Sequence, residues 1–347
     1  MSDVLLEMKN LKTSFRVDGK FYAAVDGVDI TIHKDEVFAL VGESGSGKSA
    51  LALSILSLHN SNYTRIEGEI QYGDKELLGL TENELNKVRG ANISMIFQDP
   101  LSALNPLMRV GEQIEETLFY HTSMNKLERR ARAVELLTEV GMVNPELTYS
   151  QLPHELSGGM RQRAMIAIAL ACKPEFVIAD EPTTALDVTI QAQILDLLRD
   201  LQKAMKTSVL LITHDLGVVA EMADRVAVMY AGQVVELAPA RDLFKNPLHP
   251  YTRSLLASIP SMDSWGGRLQ AIKGIVPPLH LMPREGCRFS HRTPWMSKSI
   301  HEEVPALHEV LPNHFVRCTC HKDFVFEGDT QPAKTEPQPQ TSGNGVM

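Results

Sequence analysis

The sequence has few aromatic side chains, few cysteines and no excess of positive charge. Aromatic residues make up 6% of its 347 residues, whereas apolar residues make up 44%, so a large and mainly aliphatic core can form. The formal net charge is -9, and an acidic surface repels an extended phosphate backbone, so we expect no nucleic-acid partner. Four cysteines are too few for a disulfide scaffold in a chain of this length, which leaves reduced thiols or a metal site.

Long apolar runs are also missing. The longest run, AMIAIALAC at Ala164 to Cys172, is about half of the roughly 20 residues that a membrane-spanning helix needs. The first residues, MSDVLLEMKN, are polar and acidic, whereas a secretory signal has a basic stretch followed by an apolar one. We therefore expect a cytoplasmic chain that acts at a membrane only through a partner.

Short β-rich stretches alternate with helical ones, which predicts an α/β fold. Residues 5 to about 41 are typical of strands separated by turns, and Phe176 to Ala179 and Val209 to Ile212 are typical of buried parallel strands. Between Val110 and Gly141 the pattern becomes helical, and it predicts a helical insertion. Its clearest apolar stripe consists of Leu127, Ala131, Val134 and Leu137.

A glycine-rich segment, GESGSGKS, follows the predicted strand EVFALVG and precedes a predicted helix. Its glycines let backbone N–H groups converge on phosphates at the positive end of the helix dipole. Lys48 can then reach the β and γ phosphates, and the hydroxyl of Ser49 can bind Mg²⁺. The predicted nucleotide-binding residues of this loop are Gly42, Ser44, Gly45, Gly47, Lys48, Ser49 and Ala50.

Two adjacent acids, Asp180 and Glu181, end the apolar run that begins at Phe176. A carboxylate at the end of a strand suits Mg²⁺ in a P-loop nucleotide triphosphatase, so we assign Asp180 to nucleotide and metal binding. Adjacent side chains of a strand point to opposite faces, so Glu181 can act separately and polarise the attacking water.

The segment LSGGMRQ, Leu156 to Gln162, lies between the glycine-rich loop and these acids. No GxSxG context and no neighbouring base support a nucleophilic role for Ser157. Its hydroxyl and the bare amides of Gly158 and Gly159, at the start of a helix, instead suit an anion. One chain cannot place two such sites on one γ-phosphate, so we expect this segment to reach the nucleotide of a partner chain.

GESGSGKS, LSGGMRQ and FVIADEP together resemble the ATP-binding cassette (ABC) family, in which two ATP molecules lie between the P-loop of one cassette and the LSGG of the other. The resemblance implies an ATPase with a RecA-like core, an antiparallel β subdomain and a helical signature subdomain. It also implies ATP and Mg²⁺ as cofactors.

Further site residues follow from the same resemblance. It assigns Gln98, in SMIFQDP, to Mg²⁺ and the attacking water, and it places Asp187, in TTALD, at the dimer seam. His214, in LLITHD, matches the histidine that contacts the γ-phosphate, and Gln162 is included among the nucleotide contacts. Phe15 aligns best with the adenine-stacking aromatic, although Tyr22 is an alternative and Phe15 suits a core position equally well.

Two longer stretches are similar to the oligopeptide/dipeptide importer branch. They are QDPLSALNPLMRVGEQIEE, from Gln98 to Glu116, and NPLHPYTRSLLASIP, from Asn246 to Pro260. Within that branch the chain resembles the D-type ATPase, which pairs with an F-type ATPase, two transmembrane permease subunits and an extracytoplasmic peptide-binding protein. The resemblance implies peripheral attachment to the cytoplasmic face of the membrane and uptake of di- and oligopeptides. Import of nickel or another small solute, a soluble non-transport ATPase and a homodimer remain alternatives.

The resulting domain division has three parts. Residues 1–250 form the expected nucleotide-binding domain, with the helical subdomain at about 105–165. Residues 251–326 form the C-terminal transporter region, and residues 327–347, which contain almost no apolar side chains, form an expected disordered tail.

The importer branch carries a C-terminal segment that begins GCRF and supplies four cysteines to an iron-sulfur cluster. GCRF is present at 286–289 and supplies Cys287, and Cys318 follows, but Thr293 and Ile300 occupy the two middle positions. Neither replacement is a soft ligand, so we do not expect that cluster. Cys320 and His321 add possible ligands, so zinc bound by three cysteines and a histidine, or free thiols, remain the alternatives.

Overall fold

The computed structural model describes residues 4–184, 186–258 and 274–326, and the predicted tail lies outside them. Within these ranges the chain forms two β-sheets and eleven α-helices. The strands are β1 (Val4–Val17), β2 (Lys20–His33), β3 (Val37–Val41), β4 (Thr64–Tyr72), β5 (Lys75–Glu76), β6 (Ile93–Ile96), β7 (Phe176–Asp180), β8 (Ser208–Thr213), β9 (Arg225–Tyr230), β10 (Gln233–Pro239), β11 (Leu307–Leu311) and β12 (His314–Arg317). The α-helices are α1 (Lys48–Ile55), α2 (Glu82–Val88), α3 (Pro100–Ala103), α4 (Val110–His121), α5 (Lys126–Glu139), α6 (Pro145–Ser150), α7 (Gly158–Ala169), α8 (Val188–Met205), α9 (Leu216–Met222), α10 (Ala240–Lys245) and α11 (Pro250–Ala257).

The larger sheet has eight strands in the order β11-β12-β10-β9-β3-β8-β7-β6. Strands β6, β7, β8, β3 and β9 run parallel to one another, and the other strands are antiparallel. All five residues of β3 are buried, because side chains pack against both faces of this central strand. The parallel order brings the carboxyl ends of β3, β6, β7 and β8 to one edge.

The smaller sheet is antiparallel, in the order β2-β1-β4-β5. Its buried face, which includes Leu6, Met8 and Leu11, packs with α1 and the central strands in one hydrophobic cluster. The predicted combination of an α/β core with an antiparallel β subdomain is therefore confirmed.

The helical insertion is present, but its predicted apolar stripe is partly wrong. Helix α5 begins at a capping box in which Asn125 and Glu128 exchange hydrogen bonds with the backbone. Its buried face consists of Ala133, Leu136 and Leu137, whereas Leu127 is 80% exposed. The spacing predicted the helix correctly, but it could not show where along α5 the neighbouring helices begin to cover it.

The C-terminal region extends the larger sheet. Strand β12 pairs with β10, where Glu236 lies opposite Val316, and β11 pairs with β12 at the sheet edge. The side chain of Glu236 is fully buried and accepts backbone hydrogen bonds from Leu248 and His249. The same carboxylate lies 2.7 Å from Nε2 of His314. This cluster joins the C-terminal region to the rest of the fold. None of the helices in the described ranges has the length and apolarity that a bilayer span requires.

Candidate nucleotide site

The glycine-rich loop is held close to the backbone of neighbouring strands. Gly42 has a φ of 156°, and a Cβ there would lie 2.2 Å from the carbonyl oxygen of Met229. Gly47 has a φ of 107°, and a Cβ there would lie 2.4 Å from the carbonyl oxygen of Ala24. Larger residues would push the loop outwards, so these two glycines let the backbone N–H groups line a concave surface ahead of α1.

Lys48 is the first residue of α1, and its side chain folds back over the loop. Its Nζ donates hydrogen bonds to the carbonyl oxygens of Gly42 and Glu43, at 2.8 and 3.1 Å. Burial lowers the pKa of Lys48, and the carboxylates of Glu181 and Asp180 oppose that shift. The ammonium therefore lies next to the acidic end of β7, where a phosphate group would be a second counter-charge.

Asp180 ends β7 and is 5% exposed. Burial raises the pKa of its carboxyl group, and the hydrogen bond from Ser49 partly opposes this shift. Among the described residues, its buried Oδ1 has no hydrogen-bond partner. A hydroxyl oxygen beside an incompletely satisfied carboxylate is the donor set that Mg²⁺ prefers, so these two residues fit the metal site predicted from the sequence.

Glu181 joins three other side chains. Its Oε2 accepts hydrogen bonds from Nε2 of Gln98 at 3.0 Å and from the Thr184 hydroxyl at 2.9 Å. Its Oε1 lies 3.5 Å from Nδ1 of His214. Its φ is 46°, an unusual backbone conformation that is fixed in part by a hydrogen bond from its N–H to the carbonyl of Ile212. The structure therefore brings the three predicted catalytic residues, Gln98, Glu181 and His214, together; the sequence had not singled out Thr184.

An open cleft of about 780 Å³ lies over the loop, with Ser44, Gly45, Ala50 and the catalytic side chains in its lining. Part of its wall comes from the C-terminal region, far away in the sequence. These wall residues are Val276, Pro277, Pro278, Leu279 and Met282. They could not be predicted from the sequence: two adjacent prolines indicate a stiff extended segment, but nothing local relates that segment to the glycine-rich loop.

Phe15 and Tyr22 are cross-strand neighbours on β1 and β2. The Phe15 ring packs edge-on against His59, with 5.2 Å between ring centroids. Neither aromatic residue contributes to the lining of the cleft. The assignment of Phe15 to adenine stacking therefore stays a prediction.

The LSGG segment lies at the exposed start of α7, outside the lining of the cleft. Ser157 caps this helix by accepting a hydrogen bond from the Met160 N–H at 3.3 Å. A Cβ at Gly159 would lie 2.9 Å from Cγ2 of Ile190, so α7 and α8 are close there. Asp187 is exposed before α8, and Gln162 is buried, with no partner for its Nε2 among the described residues. The predicted second phosphate site is thus separate from the chain's own loop.

The three predicted cysteine ligands lie close together, but the histidine beside them is His301 and not His321. Cys287, Cys318 and Cys320 lie beside His301. His321 turns away, and its Nδ1 lies 3.0 Å from the carbonyl oxygen of Cys318. No motif in the sequence around Ile300 indicates that His301 lies in this cluster.

A phosphate-binding loop, a buried lysine and carboxylates at the ends of parallel strands define the P-loop nucleotide triphosphatases. Residues 25–184 match the model of the ABC transporter family, and residues 235–299 match that of the oligopeptide/dipeptide transporter C-terminal region. The chain is 50% identical over 326 residues to "Oligopeptide transport ATP-binding protein OppD" of Lactococcus lactis subsp. cremoris (strain SK11), covering 94% of this chain and 96% of the relative. It is 54% identical over 325 residues to "Oligopeptide transport ATP-binding protein AppD" of Bacillus subtilis (strain 168), covering 93% and 97%.

A solved structure supports the same assignment. The fold is similar to "Dimeric Structure of MJ0796, a Bacterial ABC Transporter Cassette", with a TM-score of 0.61 and 32% identity over 68% of this chain and 99% of that one. The chain belongs to the family of ABC transporter ATP-binding subunits, and it is an ATPase, as the sequence analysis predicted.

Proposed function

We propose that this chain is the ATP-hydrolysing subunit of an ABC importer that takes up di- and oligopeptides through separate transmembrane subunits. The main support for ATP hydrolysis is the arrangement of side chains around Glu181. Its carboxylate is contacted by Gln98, Thr184 and His214, which come from three different segments. Such a cluster orients the carboxylate over the cleft, where a water molecule attacking the γ-phosphate would lie.

Each residue of the site then has a separate task. Nζ of Lys48 exchanges its bonds to the Gly42 and Glu43 carbonyls for bonds to phosphate oxygens. Ser49, Asp180 and Gln98 would hold Mg²⁺, which when bound neutralises charge on the phosphates. Glu181 accepts the proton of the attacking water, and His214 donates a hydrogen bond towards the γ-phosphate.

A second cassette completes the site. Ser157 and Gly158 are exposed at the start of α7, so their hydroxyl and N–H groups are available to a nucleotide held by another chain. Asp187 is exposed on the neighbouring α8 terminus and would lie at the seam. Because the γ-phosphate contacts both chains, its loss on hydrolysis removes the connection between them and reopens the dimer.

The peptide substrate is supported by the names of the relatives and by the C-terminal transporter region. We infer that the chain binds two transmembrane permease subunits at the cytoplasmic face of the membrane, that an F-type ATPase is its partner, and that an extracytoplasmic binding protein delivers the peptide. The order of domains proposed above, with the nucleotide-binding domain at 1–250 and the transporter region at 251–326, fits this role.

Co-purification and transport measurements test the proposal. A tagged chain extracted with detergent from membranes of its source cells should carry two integral membrane proteins and a second cassette. In liposomes, the purified assembly should hydrolyse ATP faster when peptide-loaded binding protein is added, but not when nickel is added. Stimulation by nickel alone would support the small-solute alternative. If the tagged chain is recovered without integral membrane proteins, the transport proposal is contradicted and a non-transport ATPase is favoured.

A further inference from the structure

The C-terminal region contains a thiol cluster that consists of Cys287, His301, Cys318 and Cys320. The three sulfur atoms and one ring nitrogen all lie within 4.8 Å of one another. The cysteines are 7%, 1% and 1% exposed, so the sulfur atoms are shielded from solvent. Three segments that are separate in the sequence therefore converge on one small buried volume.

His301 supports a ligand at this point. Both of its ring nitrogens are buried, and within the described ranges they have no hydrogen-bond partner other than the weakly polar thiol of Cys318. A buried imidazole with so weak a partner loses the hydrogen bonds that it made to water, which is unfavourable. A metal ion bound to one ring nitrogen would compensate for that loss.

The backbone around Cys318 explains how two cysteines separated by a single residue can both face the cluster. Strand β12 ends at Arg317, and Cys318 then has a φ of 70° and a ψ of 144° before a 3₁₀ turn over 319–322. This conformation is rare for residues other than glycine and is strained, so other interactions must hold it. The N–H of Glu302 also points at Sγ of Cys318, 3.4 Å away, as backbone donors do around metal-bound thiolates.

The family's four-cysteine iron-sulfur cluster does not fit these residues. The hydroxyl of Thr293 donates to the carbonyl of Ser290, and Ile300 packs against the adjacent hydrophobic cluster. A four-iron cluster also holds its thiolates apart on the corners of an iron-sulfide cube, whereas these ligand atoms already lie close together. By contrast, a tetrahedral zinc ion with bonds of about 2.3 Å to sulfur requires ligand atoms about 3.8 Å apart, which a small contraction of the cluster would supply.

We propose that Cys287, His301, Cys318 and Cys320 bind one Zn²⁺ ion as a closed, structural site. Three thiolates and an imidazole are a ligand set that selects zinc, and four protein ligands leave no open position for a substrate. The site would fix the segment that reaches the nucleotide cleft. Arg288, next to Cys287, donates hydrogen bonds to the carbonyl oxygen of Ala231 and to the side chains of Asp26 and Met282, and Met282 lines that cleft.

Metal analysis of the full chain, purified without chelator and with reductant, tests the proposal. We expect about one zinc per chain and only traces of iron. Replacement of the zinc by Co²⁺ should give the strong absorption of tetrahedral, thiolate-bound cobalt. Removal of the metal should lower the melting temperature by about 5 °C or more, and zinc should restore it.

Variants with matched controls locate the site. Cys320→Ser and His301→Ala should each reduce the zinc content about tenfold or more, whereas Cys172→Ser and His321→Ala should leave it unchanged. If a cluster variant does not fold, the cobalt spectrum of the wild-type chain still decides the question. Three results would each overturn the proposal: iron with inorganic sulfide, a disulfide within the cluster, or a metal-free chain whose melting temperature chelator does not change.

Discussion

Arg292 of the C-terminal region forms a two-point ion pair with Glu43, the second residue of the phosphate-binding loop. The distances from Nη1 to Oε2 and from Nη2 to Oε1 are 2.5 and 3.3 Å. The Arg292 side chain is 1% exposed, so the guanidinium is shielded from water, and its Nη2 also donates to the carbonyl oxygen of Gly274. The backbone N–H of the same glutamate donates to the hydroxyl of Tyr251 at 2.8 Å. Two residues from beyond position 250 thus hold the start of the loop.

Replacing Arg292 should therefore weaken ATP binding. Arg292→Met leaves Glu43 without its counter-charge, so we expect the loop to loosen and the Kd for ATP to rise about fivefold, or about 1 kcal/mol. The free energy of unfolding should also fall by about 1–2 kcal/mol, because the partly exposed Glu43 carboxylate loses its hydrogen bonds to the guanidinium but stays accessible to water. Nucleotide fluorescence titration and urea unfolding measure the two effects. Arg284→Met, which removes a more exposed arginine of the same region, is the control. An unchanged Kd in the Arg292 variant would show that the pair is only structural.

Glu181→Gln should separate ATP binding from hydrolysis. The amide oxygen can still accept the hydrogen bonds of Gln98 and Thr184, but it cannot accept a proton from water, so turnover should fall about 10² to 10³-fold. ATP binding should persist and trap a closed dimer, which size-exclusion chromatography with ATP detects. Thr184→Val removes one of the bonds that orient the carboxylate and should cause a smaller loss. Rapid phosphate release by the glutamine variant would contradict the assigned role.

Ser157 should act on the nucleotide of the partner chain. Ser157→Glu places a negative charge where the γ-phosphate of that nucleotide would lie, so we expect hydrolysis to fall about 100-fold or more. ATP binding by the isolated chain should not change, because Ser157 lies outside its own cleft. Ser157→Thr keeps the hydroxyl and the helix cap and should remain active. Loss of ATP binding by the isolated glutamate variant would refute the arrangement across two chains.

Asp180→Asn should abolish turnover but stabilise the nucleotide-free chain. Burial makes the Asp180 carboxylate costly, as its raised pKa indicates, and asparagine has the same shape without the charge. We expect the free energy of unfolding to rise by about 1 kcal/mol, as is common where a functional site is neutralised. Urea unfolding without Mg²⁺ and nucleotide measures it. Asp187→Asn, at an exposed position, should leave stability unchanged. A less stable Asp180 variant would mean that the attraction between Asp180 and Lys48 exceeds the cost of burial.

The parts of the site that lie within a few adjacent residues could be predicted from the sequence, whereas the parts that depend on contacts between distant segments could not. The loop from Gly42 to Ser49 and the two acids at the end of β7 follow from strand–turn–helix patterns, so both could be located from a few adjacent residues. The wall of the cleft at Pro277 and the pairing of β12 with β10 connect segments that no local pattern relates.

The histidine of the thiol cluster could not be predicted from local sequence either, although all members of the cluster lie in the C-terminal region. Spacing suggested His321, the residue next to Cys320, as the ligand. Cys318 has a positive φ, and in the turn that follows it His321 lies against the carbonyl oxygen of Cys318. His301 is the histidine that lies beside the three cysteines. Such a backbone conformation depends on how the whole segment packs, and a non-glycine residue with positive φ is not visible in the sequence.

His249 should make the stability of the fold depend on pH. Its Nδ1 accepts a hydrogen bond from the Tyr251 N–H at 3.0 Å and so caps α11, and burial lowers its pKa to about 4. An unfolded histidine titrates near pH 6.5, so between about pH 6.5 and about pH 4 the unfolded chain binds a proton that the folded chain does not. The free energy of unfolding should therefore decrease as the pH falls, with a contribution of about 2 kcal/mol at about pH 5.

His249→Asn isolates this contribution, because asparagine can cap the helix but does not titrate. Relative to its value at about pH 7.5, the stability of the variant at about pH 5 should fall by about 2 kcal/mol less than that of the wild type. Urea unfolding at the two pH values measures the difference. His280→Asn, at an exposed histidine, should retain the full dependence of the wild type. Equal pH dependence in the wild type and the His249 variant would mean that His249 binds its proton equally well in the folded and unfolded chains, in contradiction to its burial.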